Sequence, residues 1–126
     1  MKSSTLFRIL AVIFAITLVC IILTANLGFG KRLFAPVYDF PYGDKVGHFM
    51  LMGILSLLVS LSFRPRRLFG LLLYSVIVLC FIVTLEEASQ IPLRHRDFSL
   101  TDLAANYAGI FVFGEIGARL YALLHR

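Results

Sequence analysis

The chain has 126 residues, 60% of them hydrophobic and 15% charged, with a formal net charge of +5, two cysteines and no tryptophan; its mean hydropathy is +0.90. A soluble domain of this size has too little interior to hide so much apolar surface, so an ordinary water-soluble globule is excluded and a membrane bundle is expected. The positive charge then reads as membrane orientation and contact with anionic lipid, and gives no reason to expect a nucleic-acid partner.

The first predicted span covers about 9–27, inside the uncharged run between Arg8 and Lys31. Lys2 and Arg8 make it begin like a signal peptide, but the apolar run exceeds the roughly 7 to 15 residues of a usual signal core and lacks an A-x-A site. It is read as a retained signal anchor. The second span, 46–63, carries His48 as its only group titrating near neutrality, and the Arg64-Pro65-Arg66-Arg67 turn separates it from a third span over 68–86. The fourth, 100–124, is interrupted by Glu115 and Arg119, which at i and i+4 read as a local ion pair. Each run is long enough to cross a hydrocarbon core about 30 Å thick at about 1.5 Å per residue. The expected architecture is therefore all-α: a polytopic membrane protein of four transmembrane helices in one compact bundle, a single domain over 1–126. No internal repeat, low-complexity tract or lipidation motif is visible.

Basic residues in short loops set orientation. Placing both termini in the cytoplasm puts Lys2, Arg8, Arg64, Arg66, Arg67, Arg119 and Arg126 inside, and Lys31, Arg32, Lys45, Arg94 and Arg96 outside. Cys20 and Cys80 fall within spans with no CxxC or Cys/His spacing, and read as packing or lipid-facing residues.

In a four-span chain the first and third loops share one side of the membrane. The polar residues gather there. Asp44 and Lys45 lead into span two just before His48, Glu86 to Gln90 end span three, and Arg96 to Asp102 lead into span four. Asp44 and His48 are i, i+4; Glu87 and Gln90 are i, i+3; Asp102, Asn106 and Gly109 are i, i+4, i+7, so each set shares a helix face. Exposing a charged group to lipid near the bilayer centre costs at least about 2.5 to 3.5 kcal/mol, which directs these faces toward the bundle interior. Glu86, about 100° around the helix from Glu87, is assigned to the interface. Ser99 and Thr101 are candidate caps for the last helix, and Gly109 and Gly114 places where helices approach closely.

These residues, in this order, resemble the VanZ-like family of small membrane proteins, named for a member associated with resistance to the glycopeptide antibiotic teicoplanin. The resemblance is carried by Asp44-Lys45-x-x-His48-Phe49, Glu87-x-x-Gln90 and Arg96-x-Phe98-x-x-x-Asp102-x-x-x-Asn106-x-x-Gly109, and extends over roughly residues 40 to 115. It implies a four-helix membrane fold in the bacterial envelope, here the inner (cytoplasmic) membrane. It does not bring a settled activity.

Two functions compete. In the first, Asp44, Lys45, His48, Glu87, Gln90, Arg96, Asp102 and Asn106 form an outer-face pocket that binds a lipid or cell-wall-precursor head group, or a glycopeptide-type antibiotic. In the second, the pocket belongs to a membrane hydrolase or transferase acting on an envelope lipid head group, with His48, Glu87 and Asp102 as acid/base candidates. No nucleophile is identifiable, because Ser89 and Ser99 lack a surrounding motif. No cofactor is expected. A metal is not expected either, since D-x-x-x-H is not a diagnostic ligand spacing and Lys45 and Arg96 favour internal ion pairs. Polar residues at one end only do not make a transport path. Membrane lipids are the expected partners, and the sequence carries no sign of oligomeric state.

Overall fold

The computed structural model describes residues 3–28, 43–92 and 99–125. Four helices dominate it: α1 (Ser3–Asn26), α2 (Gly43–Ser62), α3 (Tyr74–Ser89) and α4 (Leu100–Leu124). A minimal antiparallel hairpin, β1 (Arg67–Leu68) with β2 (Leu72–Leu73), sits between α2 and α3. α1, α2 and α4 are each long and apolar enough to cross a membrane.

The centre of the molecule is the seam between α2 and α4, which run parallel. Lys45 meets Asp102 and His48 meets Asn106 near their N-terminal ends, while Ser56 Oγ donates to the Ile110 carbonyl (2.8 Å) farther along. Small residues make this approach possible. A Cβ on Gly109 would collide with the Phe49 carbonyl oxygen, one on Gly114 would lie 2.9 Å from Ser56 Oγ, and one on Gly117 would lie 2.7 Å from Ser60 Cβ. Where lipid tails are as apolar as leucine, close packing and inter-helix hydrogen bonds of this kind hold helices together.

Because α2 and α4 are parallel, the chain must be carried back between them, and α3 does this. Its first turn lies beside the far end of the seam, with Ser75 Oγ 3.4 Å from Ser60 Oγ, and its last turn reaches the start of α4, where Ser99 N–H donates to Glu87 Oε1 (3.0 Å). α1 runs antiparallel to α2: Arg8 Nε donates to the Ser62 carbonyl (3.1 Å) and its guanidinium lies 4.9 Å from the Phe63 ring centroid. Ala11 and Leu18 of α1 are buried, Phe14, Ala15 and Ile21 are half-buried against the core, and the opposite side, with Val12, Ile13, Ile16, Val19 and Leu23, is apolar and exposed, the pattern of a helix whose outer face meets lipid. The buried core, including Leu55, Val76, Val83, Leu103 and Ile110, lies mainly among α2, α3 and α4, with Leu18 of α1 and Leu73 of β2 joining it.

Two expectations need correction. The third span was expected to be helical from 68, but the helix starts at Tyr74 and has 16 residues, roughly 24 Å at about 1.5 Å per residue. Phe69 (φ 53°) and Gly70 (φ 71°) both occupy the left-handed region, as turns with positive φ at both central positions require. Leu71 N–H closes that turn on the Leu68 carbonyl, and Tyr74 N–H bonds the Arg66 carbonyl. The backbone of 67–73 is thereby committed to a hairpin, a choice that hydropathy does not register. Second, the hydrogen-bonded partner of Glu115 is Arg67, and Arg119 acts on it only through its charge. Both its oxygens accept from Arg67 at 2.8 Å, a forked geometry that the planar guanidinium favours.

Candidate functional site

α2, α3 and α4 bring their polar ends together at the opposite end of the bundle from the hairpin. Ser99 caps α4, accepting from Asp102 N–H at 3.2 Å, so the Asp102 side chain falls in the first turn, where the positive end of the helix dipole favours a carboxylate. Lys45 Nζ lies 3.0 Å from Asp102 Oδ1 and His48 Nε2 lies 3.7 Å from Oδ2. Oδ1 is closed off and makes no directed hydrogen bond among the described residues, so its pairing with Lys45 is a contact of charges. The histidine contact is too long for a hydrogen bond and is an ion pair only with the imidazole protonated.

One turn deeper, His48 Nδ1 and Asn106 Oδ1 are 3.1 Å apart. An amide oxygen only accepts, so Nδ1 carries the proton and Nε2 is left facing Asp102. Asn106 is 2% exposed. A histidine oriented by a buried amide at one nitrogen and placed beside a carboxylate at the other can pass or hold a proton at Nε2.

Glu87 is fully buried at the end of α3. Its Oε1 accepts from the Ser99 backbone, whereas Oε2 has no hydrogen-bond partner among the described residues. The carboxylate lies within electrostatic reach of Glu86, His48 and Asp102. A buried carboxylate oxygen without a donor is costly. Gln90, 1% exposed, donates from Nε2 to Glu86 Oε1 at 2.6 Å. Glu86, assigned to the interface from sequence, thus positions Gln90, and Gln90 directs its amide there rather than toward the Glu87 carboxylate. The i, i+4 spacing of Glu86 and Gln90 is the signal that could have revealed this.

Of the residues singled out from sequence, the structure gathers Lys45, His48, Asp102 and Asn106, with Glu87 in electrostatic reach and Gln90 buried a turn beyond it. Arg96 lies outside the described residues, as does the side chain of Asp44, whose backbone opens α2. Tyr107 was not anticipated: its hydroxyl bonds Thr84 Oγ1 and ties α4 to α3 below the cluster. Among the described residues no group of three or more His, Cys, Asp or Glu side chains is arranged to hold a metal ion. A cavity of about 590 Å³ lies at the hairpin end and shares no residue with the polar cluster.

Comparisons with family models, with curated proteins and with solved structures found nothing that matches the chain. Fold and composition define a small all-α, multi-span membrane protein. Its function is read from its own residues.

Proposed function

We propose that the chain is a VanZ-like protein of the bacterial inner membrane, with four spans and both termini cytoplasmic, and that its outer-face polar cluster captures the head group of an envelope lipid, a cell-wall precursor or a glycopeptide-type antibiotic. The observation that carries this reading is the buried Glu87 Oε2, without a donor among the described residues and within electrostatic reach of His48 and Asp102. A hydroxyl, amide or ammonium of a bound head group would supply that donor. Lys45 and Arg96 would accompany it on the anionic side of the ligand. The four-span arrangement is supported by the parallel packing of α2 and α4, because two parallel spans require the chain to return between them.

The test is lipidomics of the membrane that copurifies with the wild-type protein and with Glu87→Gln. Glutamine keeps an oxygen to accept from Ser99 N–H and replaces the orphaned oxygen with an amide that donates. The expected result is one head-group class enriched with the wild type and absent from the variant. Equal lipid profiles would reject capture at this cluster. A head-group cleavage product formed by the wild type, and not by Glu87→Gln, would turn the binder into a hydrolase or transferase.

A further inference from the structure

At the other end of the bundle, α2, the hairpin and α3 leave the cavity of about 590 Å³ open beside the seam, within the roughly 300 to 1,000 Å³ range of small-molecule sites. Its walls are apolar, formed in part by Val59, Phe63, Val78 and Leu79, and Arg64 and Arg66 stand in its lining. Three arginines in this turn have different fates. Arg67 is forked on Glu115. Arg64 and Arg66 are exposed and have no ion-pair partner among the described residues. Of the three arginines in this turn, the two without an ion-pair partner among the described residues are the two that line the cavity.

We propose that this groove is a binding site for an anionic phospholipid, with one acyl chain along Val59, Val78 and Leu79 and the phosphate held by Arg64 and Arg66. Two features favour this occupant. The cavity lies where α2 ends and α3 begins, so apolar walls adjoin charged groups along the helix axis, as chain adjoins phosphate in a lipid. The positive rim also complements a negative head group, because guanidinium pairs with phosphate through two parallel hydrogen bonds. α3 starts without a side-chain cap, Leu73 occupying the capping position, which leaves no acidic group to compete with the phosphate there. The site is independent of the polar cluster and does not rest on the function proposed for it.

The test uses the full chain in phosphatidylcholine bilayers carrying spin-labelled phosphatidylglycerol or spin-labelled phosphatidylcholine, and measures the motionally restricted fraction of each. The wild type should restrict phosphatidylglycerol preferentially. Arg64→Gln with Arg66→Gln should lower that preference at least about fivefold, since one basic residue near an anionic surface contributes about that much. Arg64→Lys with Arg66→Lys should retain most of it, and Arg119→Gln, which removes a charge from the same end but outside the cavity, should leave it unchanged. Val78→Trp, which fills the groove from an exposed position, should reduce restriction of both lipids. Helix content by circular dichroism confirms that each variant is folded. Equal restriction of both lipids by the wild type overturns the proposal, as does an Arg119→Gln loss matching that of the Arg64/Arg66 pair. So does a Val78→Trp variant that binds as the wild type does.

Discussion

Glu87 and Asp102 have two possible employments, and near-isosteric substitution separates them. If they chiefly hold helices together, Glu87→Gln and Asp102→Asn should lower stability and any activity in parallel, because Lys45 or His48 would be left beside a neutral amide. If they serve a ligand, folding should stay almost intact while ligand capture is lost. The second outcome is expected, since charges gathered this near the aqueous face are needlessly costly as packing groups. Detergent melting temperature beside ligand retention decides it: a large fall in melting temperature with normal retention in the folded fraction refutes the pocket. Gly109→Ala makes a contrasting case. Its new methyl would meet the backbone carbonyl of Phe49, which cannot swing aside as a side chain can, so a loss of about 1 to 3 kcal/mol is expected. Gly53→Ala would meet the Phe113 ring, which can rotate, and should cost less in the same melting experiment.

Among the elements, the hairpin is where hydropathy and structure part. Leu68 to Leu73 are apolar apart from Gly70, and a window average joins them to the helix that follows. The backbone instead turns at Phe69 and Gly70, both with positive φ. Alanine at Gly70 would find open space around its methyl, yet the φ of +71° is one that residues with a Cβ seldom adopt. Gly70→Ala should therefore destabilise the hairpin by about 1 kcal/mol, seen as faster amide exchange at Leu71 and Tyr74 with the protection of α4 unchanged. Uniform loss of protection across the bundle would show instead that the hairpin and the helices unfold as one unit. Arg67→Gln should matter less, because the pair it breaks is partly solvent-exposed, with side-chain exposures of 34% and 41%; such pairs contribute about 0 to 1 kcal/mol. A larger fall in melting temperature would mean that the hairpin is fastened to α4 mainly through this fork.

On the scale of the whole molecule, the topology is the first thing to measure. In a chain with Cys20 and Cys80 replaced by alanine, an impermeant thiol reagent applied from outside should label cysteine at Tyr38 and miss cysteine at Pro65. The reverse pattern would invert the protein in the membrane. Ser3 and Leu124 lie at one end of the bundle, since α1 is antiparallel to α2 and α2 parallel to α4; labelling of those two positions from opposite sides would contradict that packing.

Membrane character was legible in the sequence because it depends on sums: long uncharged runs and high mean hydropathy survive any arrangement of the helices. The polar set was legible for a related reason, since Asp102 and Asn106, or Glu87 and Gln90, share a face wherever the chain is helical. What hydropathy could not convey was pairing. Whether Glu115 meets Arg119 or Arg67, whether Gln90 turns toward Glu87 or Glu86, and which oxygen of Glu87 lacks a donor are decided by atoms brought together from distant parts of the chain or by the choice among nearby rotamers. The close approach at Gly109 and Gly114 was legible too, but what each meets, the Phe49 carbonyl at Gly109 and Ser56 and Val76 at Gly114, declares itself only when other helices lie against them. Local composition thus determined that this chain enters a membrane and which of its residues are polar there; the tertiary structure alone decided which of those residues meet, because contact depends on helix rotation and approach that no single segment contains.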